Sequence, residues 1–389
     1  MSMPGIELGK VRIAVVHDWL IDFAGAERVL AEILRCFPQA DLFALVDHLS
    51  AADRAPLDGR RARTTFLQGM PGIASGSLGY YLPLMPLAIE QLDVTGYDLV
   101  ISSSHAVAKG VIVSPDALHL SYVYSPMRYA WDQQFNYLQE KGAISGARNA
   151  LLRWVLHRLR IWDHRSAAGV DRFVADSHFV ARRILKTYRR AADVIYPPVA
   201  TELFMPGGER GDFYVTVSRL MPYKRVDLLA RAFAQMPERR LVVIGGGPER
   251  AALKAAAPPN VEFAGHLPDD AVRDHMQRAR AFLFAAVEDF GIAPVEAMAC
   301  GTPVIALRRG GAAETVAGLD AAEPTGVFFE EQTAEAVVAA VRTFEARGQA
   351  ITAGACRRRA QQFSVERFRA EFTAYVEKAC TEWPARGGR

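Results

Sequence analysis

The chain has 389 residues, half of them hydrophobic, with a formal net charge of +3. That is too long for one ordinary domain and describes a globular protein with large cores; no nucleic-acid partner is expected of so balanced a charge. No uninterrupted apolar stretch reaches the roughly 20 residues that cross a bilayer, no secretory leader is read, and four scattered cysteines without metal-ligand spacing suit reduced thiols in a cytoplasm.

Short apolar runs predict strands in the first half: "VRIAVVH" (11–17), "DLFALV" (41–46), "YDLVISSS" (97–104), "LHLSYVY" (118–124), "RFVADS" (172–177) and "DVIYPP" (193–198). Near-continuous Val, Ile and Leu of this kind suits parallel strands covered by helices on both faces. Between the first two runs, "HDWLIDFAGAERVL" places Gly25 in a loop that starts a helix. After the third, "SSSHAVAKG" places His105 and Lys109 just past a strand end, where His105 reads equally as a working group or as a core or capping histidine.

Two aromatic loops suit stacking on sugars, and equally plain hydrophobic packing: "YYLPLMP" with Tyr80 and Tyr81, and "YSPMRYAWDQQF" with Tyr124, Arg128 and Trp131. Residues 141–190 carry twelve Lys and Arg, Lys141 among them, against three Asp. Within that stretch Leu151, Leu152, Val155, Leu156, Leu159 and Trp162 form a helical stripe, expected to face the core. The basic residues on the opposite face are expected to be able to lie on anionic lipid of the inner membrane.

The segment "PPVATELFMPGGERGD" (197–212) interrupts every periodicity and reads as a hinge. It divides a first domain, 1–200, from a second, 201–363, with a last helix at about 364–383 packing back on the first. The second domain repeats the strand pattern at 213–218, 240–247, 260–265, 281–286, 303–307 and 326–329. The fold class expected is α/β, two Rossmann-like doubly wound parallel sheets facing a central cleft, with ligands beyond the carboxyl ends of the strands.

After the run at 213–218, "SRLMPYKRVDLL" sets Arg219 and Lys224 at a helix start, which suits a diphosphate because the cations and the helix dipole act together. "VIGGGPER" (243–250) lacks the third glycine of a dinucleotide fingerprint, yet Gly245, Gly246 and Gly247 either border a nucleotide or serve as turn residues. "EDFGIAPVEAMACGTPVIA" (288–306) places Glu288 in a turn, Gly291 after it and Glu296 on the following helix. Two carboxylates able to grip pairs of hydroxyls suit the vicinal diols of a sugar; read singly, Glu296 is an ordinary charge of a first helical turn.

Taken together with "VADSHFV", "VIYPPV" and "TGVFFEEQT", these segments resemble, in order and spacing, the retaining GT-B glycosyltransferases of family four. The bacterial mannosyltransferases of O-antigen and exopolysaccharide assembly are the nearest likeness. The resemblance implies transfer of a hexose, mannose from GDP-mannose first and a UDP-hexose second, from a nucleotide diphosphate sugar to a glycan or lipid-linked glycan acceptor.

It further implies that Glu288 meets the donor sugar, Glu296 the ribose, and Arg219 with Lys224 the diphosphate. His105 stands beside the sugar, with the backbone of Phe290, Gly291 and Ile292 beneath sugar and phosphates. Gly25 resembles the family's phosphate loop, although Ala24 stands where the family often has glycine. No Asp-x-Asp pair occurs in the chain, so neither metal nor cofactor is expected. A nucleotide-sugar oxidoreductase or epimerase, and a non-enzymatic sugar or polyanion binder, are the competing readings.

Overall fold

The computed structural model describes residues 8–74, 76–140 and 146–383. Contacts gather the chain into two units, one formed by residues up to Tyr196 together with Phe368 onward, the other by Pro197–Arg367.

The first unit is built on six parallel strands, β1 (Ile13–His17), β2 (Asp41–Ala44), β3 (Leu99–Ser104), β4 (Leu118–Val123), β5 (Arg172–Ala175) and β6 (Asp193–Val194). Their order is β2-β1-β3-β4-β5-β6. Because both faces are covered, every residue of β1, β3 and β4 is buried. Alternate residues feed separate cores: Ile13 and Val15 on one side, Ala14 and Val16 on the other. The helix Val365–Glu382 completes the first of these with Phe368, Phe372 and Val376, which pack against Phe37 and Tyr122.

The helix Gly146–Ser166 divides its apolar residues. Leu156 and Leu159 are buried and Trp162 packs on the same core, but Leu151 is exposed, together with Trp154 and Ile161. The stripe read from the sequence is therefore corrected at Leu151, which stays exposed although Leu152 and Val155 beside it pack on that core.

The second unit carries β7 (Tyr214–Val217), β8 (Leu241–Ile244), β9 (Val261–Gly265), β10 (Phe282–Phe284), β11 (Val304–Leu307) and β12 (Gly326–Phe329), again parallel, in the order β12-β11-β10-β7-β8-β9. This unit closes on itself where the chain enters and leaves. Val199 N–H donates to Phe363 O at 2.8 Å, Val199 forms an isolated parallel bridge with Ser364, and Arg367 donates to Pro197 O at 3.2 Å. No helix among the described residues is long and apolar enough to cross a membrane.

Candidate active site

A doubly wound sheet opens a crevice where the strand order reverses, because the loops on either side leave in opposite directions. In the second unit the reversal lies between β7 and β10. The loops that follow these two strands carry Arg219 and Lys224 on one side and Glu288 on the other.

They meet there. Lys224, last residue of the 3-10 turn Pro222–Lys224, forms an ion pair with Glu288, and each side chain is only 16% exposed. Arg225 next to it holds φ 56°, a left-handed conformation uncommon for a non-glycine residue, and starts the helix Val226–Ala234. It is braced by Asp227 at 3.3 Å and by Gln332, which in turn donates to Ala285 O at 2.8 Å. The loops after β7, β10 and β12 are thereby tied together. Arg219 is exposed at the end of β7.

Glu288 is also seated from below. Gly310 and Gly311, after β11, lie against the turn 288–290 so closely that a Cβ on either would stand within 2.3 Å of Glu288 O or Phe290 backbone atoms. Gly311 N–H donates to Glu288 O at 2.9 Å. Gly291 takes φ 87° and caps the helix Ile292–Ala299, with Phe290 buried beside Phe363 and Ile292 half-buried. Glu296 is the fifth residue of that helix and only 7% exposed. The reading of Glu296 as an ordinary first-turn charge is thus corrected: it lies in the second turn, and burial removes it from the solvent where such charges sit.

Gly245 (φ 132°) and Gly247 (φ 149°) are required by the fold. A Cβ at these positions would meet Ser218 O at 1.9 Å and Leu220 O at 2.4 Å, because the loops after β7 and β8 continue to pair through Leu220 N–H and Gly246 O at 2.7 Å. Gly246 has open space where its Cβ would be.

In the first unit the order reverses between β1 and β3, and a polar cluster sits there too. Asp18, directly after β1 and fully buried, accepts four backbone N–H bonds, from His105 and Ala106 on one oxygen and Val107 and Ala108 on the other, at 2.6–3.0 Å. His105 Nδ1 lies 3.0 Å from the same carboxylate, and its ring stands edge-on to Trp19 at 4.6 Å. One acid thus holds both the backbone and the side chain of the histidine segment.

Behind it, buried His17 contacts Ser103 Oγ at 3.0 Å and Glu27 Oε1 at 3.3 Å, while Glu27 Oε2 accepts the Ala24 N–H at 2.9 Å. This reach back to the N-cap amide fixes the start of helix Gly25–Cys36. Gly25 is therefore the first helical residue rather than part of a loop. Ala24 has an ordinary extended backbone (φ −126°), which any residue adopts. The sequence reading missed Asp18, His17 and Glu27; an ionisable His-Asp pair at the carboxyl end of a first strand was the signal for two of them.

Charge and burial oppose each other at the Asp18–His105 pair. Burial favours the neutral imidazole, but Asp18 outweighs it and raises the His105 pKa; burial likewise opposes the Asp18 carboxylate, and His105 brings its pKa well below the usual range. The raised histidine contributes stability that is complete below about pH 6.5, its unfolded value, and lost as pH rises through the folded one. The depressed aspartate contributes stability that is complete above about pH 4 and lost as pH falls through its folded value. Asp18→Asn is therefore expected to lower the melting temperature most between about pH 4 and 6.5 and to abolish the decline on the alkaline side. Parallel melting profiles for the two proteins from acid to alkaline pH would contradict this.

Of the aromatic loop residues, Tyr80 is 83% exposed and Tyr81 donates to Pro71 O at 2.9 Å. Tyr124 bonds Ser103 Oγ at 2.7 Å and donates to Ala26 O at 3.0 Å, linking the His17 cluster to the first helix. Trp131 Nε1 donates to buried Asp163 at 2.7 Å, and Arg128 is half-buried before it. Lys109 is no site cation: it is 1% exposed and paired with Asp163, which Tyr188 also contacts, while Ser166 Oγ lies 3.0 Å from the ammonium. Lys141 lies outside the described residues.

Residues 207–363 match the family model described as glycosyl transferases group 1. Relatives include a D-inositol 3-phosphate glycosyltransferase of Mycobacterium sp. (strain JLS), 32% identical over 36% of this chain and 38% of its own length. Another is a GDP-mannose-dependent alpha-(1-6)-phosphatidylinositol monomannoside mannosyltransferase of Mycolicibacterium smegmatis, 35% identical over 33% and 37%. The match thus spans less than two fifths of these curated relatives.

Solved structures match nearly throughout. Anabaena HepE in complex with UDP has a TM-score of 0.68 at 18% identity, covering 94% of this chain and all of that one. Sucrose-phosphate synthase from Thermosynechococcus elongatus has a TM-score of 0.69 at 18% identity, covering 94% and 98%. The fold is GT-B.

Proposed function

We propose that the chain is a retaining hexosyltransferase that moves mannose from GDP-mannose onto a glycan or lipid-linked glycan of surface-polysaccharide assembly, at the cytoplasmic face of the membrane and without a metal. The observation that carries this reading is the Lys224–Glu288 pair at the strand-order reversal of the second unit, inside the segment that matches the glycosyl transferases group 1.

The chief barrier to such a transfer is charge building on the departing diphosphate. Lys224 and Arg219 are the cations for it, and bonds preorganised toward developing charge are the largest single aid an enzyme offers. Glu288 orients the donor sugar and holds Lys224 in place, Glu296 takes the ribose diol, and the Phe290–Ile292 backbone lies under sugar and phosphates. Acceptor binding is assigned to the first unit, as is His105, which Asp18 holds.

The mannosyltransferase among the relatives uses GDP-mannose by its name, which supports the guanine donor. A second reading, a UDP-hexose donor, is favoured by HepE, whose structures hold UDP and UDP-glucose. A thermal-shift panel of GDP, UDP, ADP and their sugars separates the two. A GDP-selective rise, larger with GDP-mannose, is expected; a UDP-selective rise replaces the donor, and no shift with any nucleotide overturns the proposal.

A further inference from the structure

The first unit contains a cavity of about 560 Å³ whose lining includes Trp131, Arg160, Phe179, Arg182, Arg183 and Lys186 and takes no residue from the loops after β1, β3, β7 or β10. Asp132 is the one acid among its described lining residues, and it pairs with Arg183 at 2.5 Å. Of four cations, three positive charges therefore remain uncompensated by a lining acid.

Several of these groups are held in place before any ligand arrives. Arg160 donates to Ala130 O at 2.8 Å and to Gln134. The guanidinium groups of Arg182 and Arg183 lie 5.8 and 5.7 Å from the centre of the Phe179 ring, a contact that orients planar cations. A convergent set of guanidinium forks and an ammonium suits the oxygens of a phosphate better than a single carboxylate. The volume exceeds what one inorganic phosphate fills, so a substituent on the phosphate is accommodated.

The surroundings bear on the source of that phosphate. The helices Gln134–Glu140, Gly146–Ser166 and His178–Tyr188, each of which supplies lining residues, expose Phe135, Leu151, Trp154, Ile161 and Leu185 among basic residues. Exposed apolar side chains interleaved with Arg and Lys are the pattern of a surface that rests on lipid.

We propose that this cavity binds a phosphate ester, in a site separate from the one at the Lys224–Glu288 pair. A lipid headgroup and a soluble phosphate compound present the same chemistry, and two assays on the full chain separate them. Co-sedimentation uses vesicles of phosphatidylglycerol in phosphatidylcholine; titration uses glycerol 3-phosphate.

The variant R182E/K186E reverses two exposed cavity charges, and R158E/R165E makes the same charge change on exposed residues outside the cavity. For a headgroup site, the protein sediments with the anionic vesicles, and R182E/K186E weakens binding at least about tenfold more than R158E/R165E does. For a soluble ligand, vesicle binding is absent, and a glycerol 3-phosphate binding event persists in K224A and R158E/R165E but is lost in R182E/K186E. Equal weakening by the two double variants, or no binding event sensitive to R182E/K186E in either assay, overturns the proposal.

Discussion

Replacing Lys224 by alanine is expected to reduce the transfer rate by about 10²- to 10³-fold while the protein stays folded, the loss seen when one preorganised partner of a developing charge is removed. The effect is expected in kcat at saturating donor, because charge on the diphosphate grows between ground state and transition state. Lys224 is suited to this by where it sits. It is mostly buried, held by Glu288, and followed by Arg225, whose backbone takes the left-handed conformation. The side chain is thus positioned before the charge develops, at no cost of reordering. Initial rates with the nucleotide sugar that gives the largest thermal shift provide the test, with a melting curve as control; near-normal turnover would remove Lys224 from this role.

The second large effect is on stability. Lys109→Met is expected to destabilise the first unit by about 3–5 kcal/mol, since it leaves the Asp163 charge buried with no cation against it. Both partners are at most 1% exposed, and the Lys109 ammonium also lies over the rings of Trp162 and Tyr188 at 5.3 and 5.0 Å. For a unit of this size the loss corresponds to roughly 10 °C in melting temperature. Calorimetry of the full chain should show the first unit's transition moving and the second unit's remaining in place. The double variant K109M/D163L is expected to regain part of the loss, because both charges leave together. An unmoved transition in the single variant would mean that the pair is solvated.

Lys109 and Lys224 show what was legible in the sequence and what was not. Both follow a strand by a few residues, so each has the local context of a site cation. Their difference is made by partners far along the chain: Lys224 meets Glu288, whereas Lys109 is closed in by Asp163 and Tyr188. Strand periodicity is a local signal and was readable, as was the placement of Glu288 and Arg219 beyond strand ends. Pairing across more than fifty residues leaves no local trace, which is why Asp18 was overlooked as the residue that holds the His105 segment.

The glycines divide in the same way. Gly291 was legible as a glycine beside the Glu288 turn, and the structure gives it φ 87°, a conformation that glycine itself permits. Gly310 and Gly311 support Glu288 through close backbone approach from the next strand's loop, and only the folded sheet brings those loops together. Leu151 was misplaced for a related reason: helical spacing gives a stripe, but which residues at its edge are covered is set by neighbours elsewhere in the chain, and Leu152 is packed where Leu151 is not.

The meeting of Val199 with Phe363 and Ser364 bears on how the protein is made. Phe368, Phe372 and Val376, which complete a core of the first unit, leave the ribosome about 170 residues after that unit's last strand, and domains generally fold in order of synthesis. Until then the nascent first unit has an apolar trough where its final helix belongs. Once the second unit folds, its two ends are fastened side by side, and the long intervening chain acts entropically as a short loop. The fastened ends of the inserted unit are thereby expected to lower the entropy cost of bringing the last helix back to the core it completes.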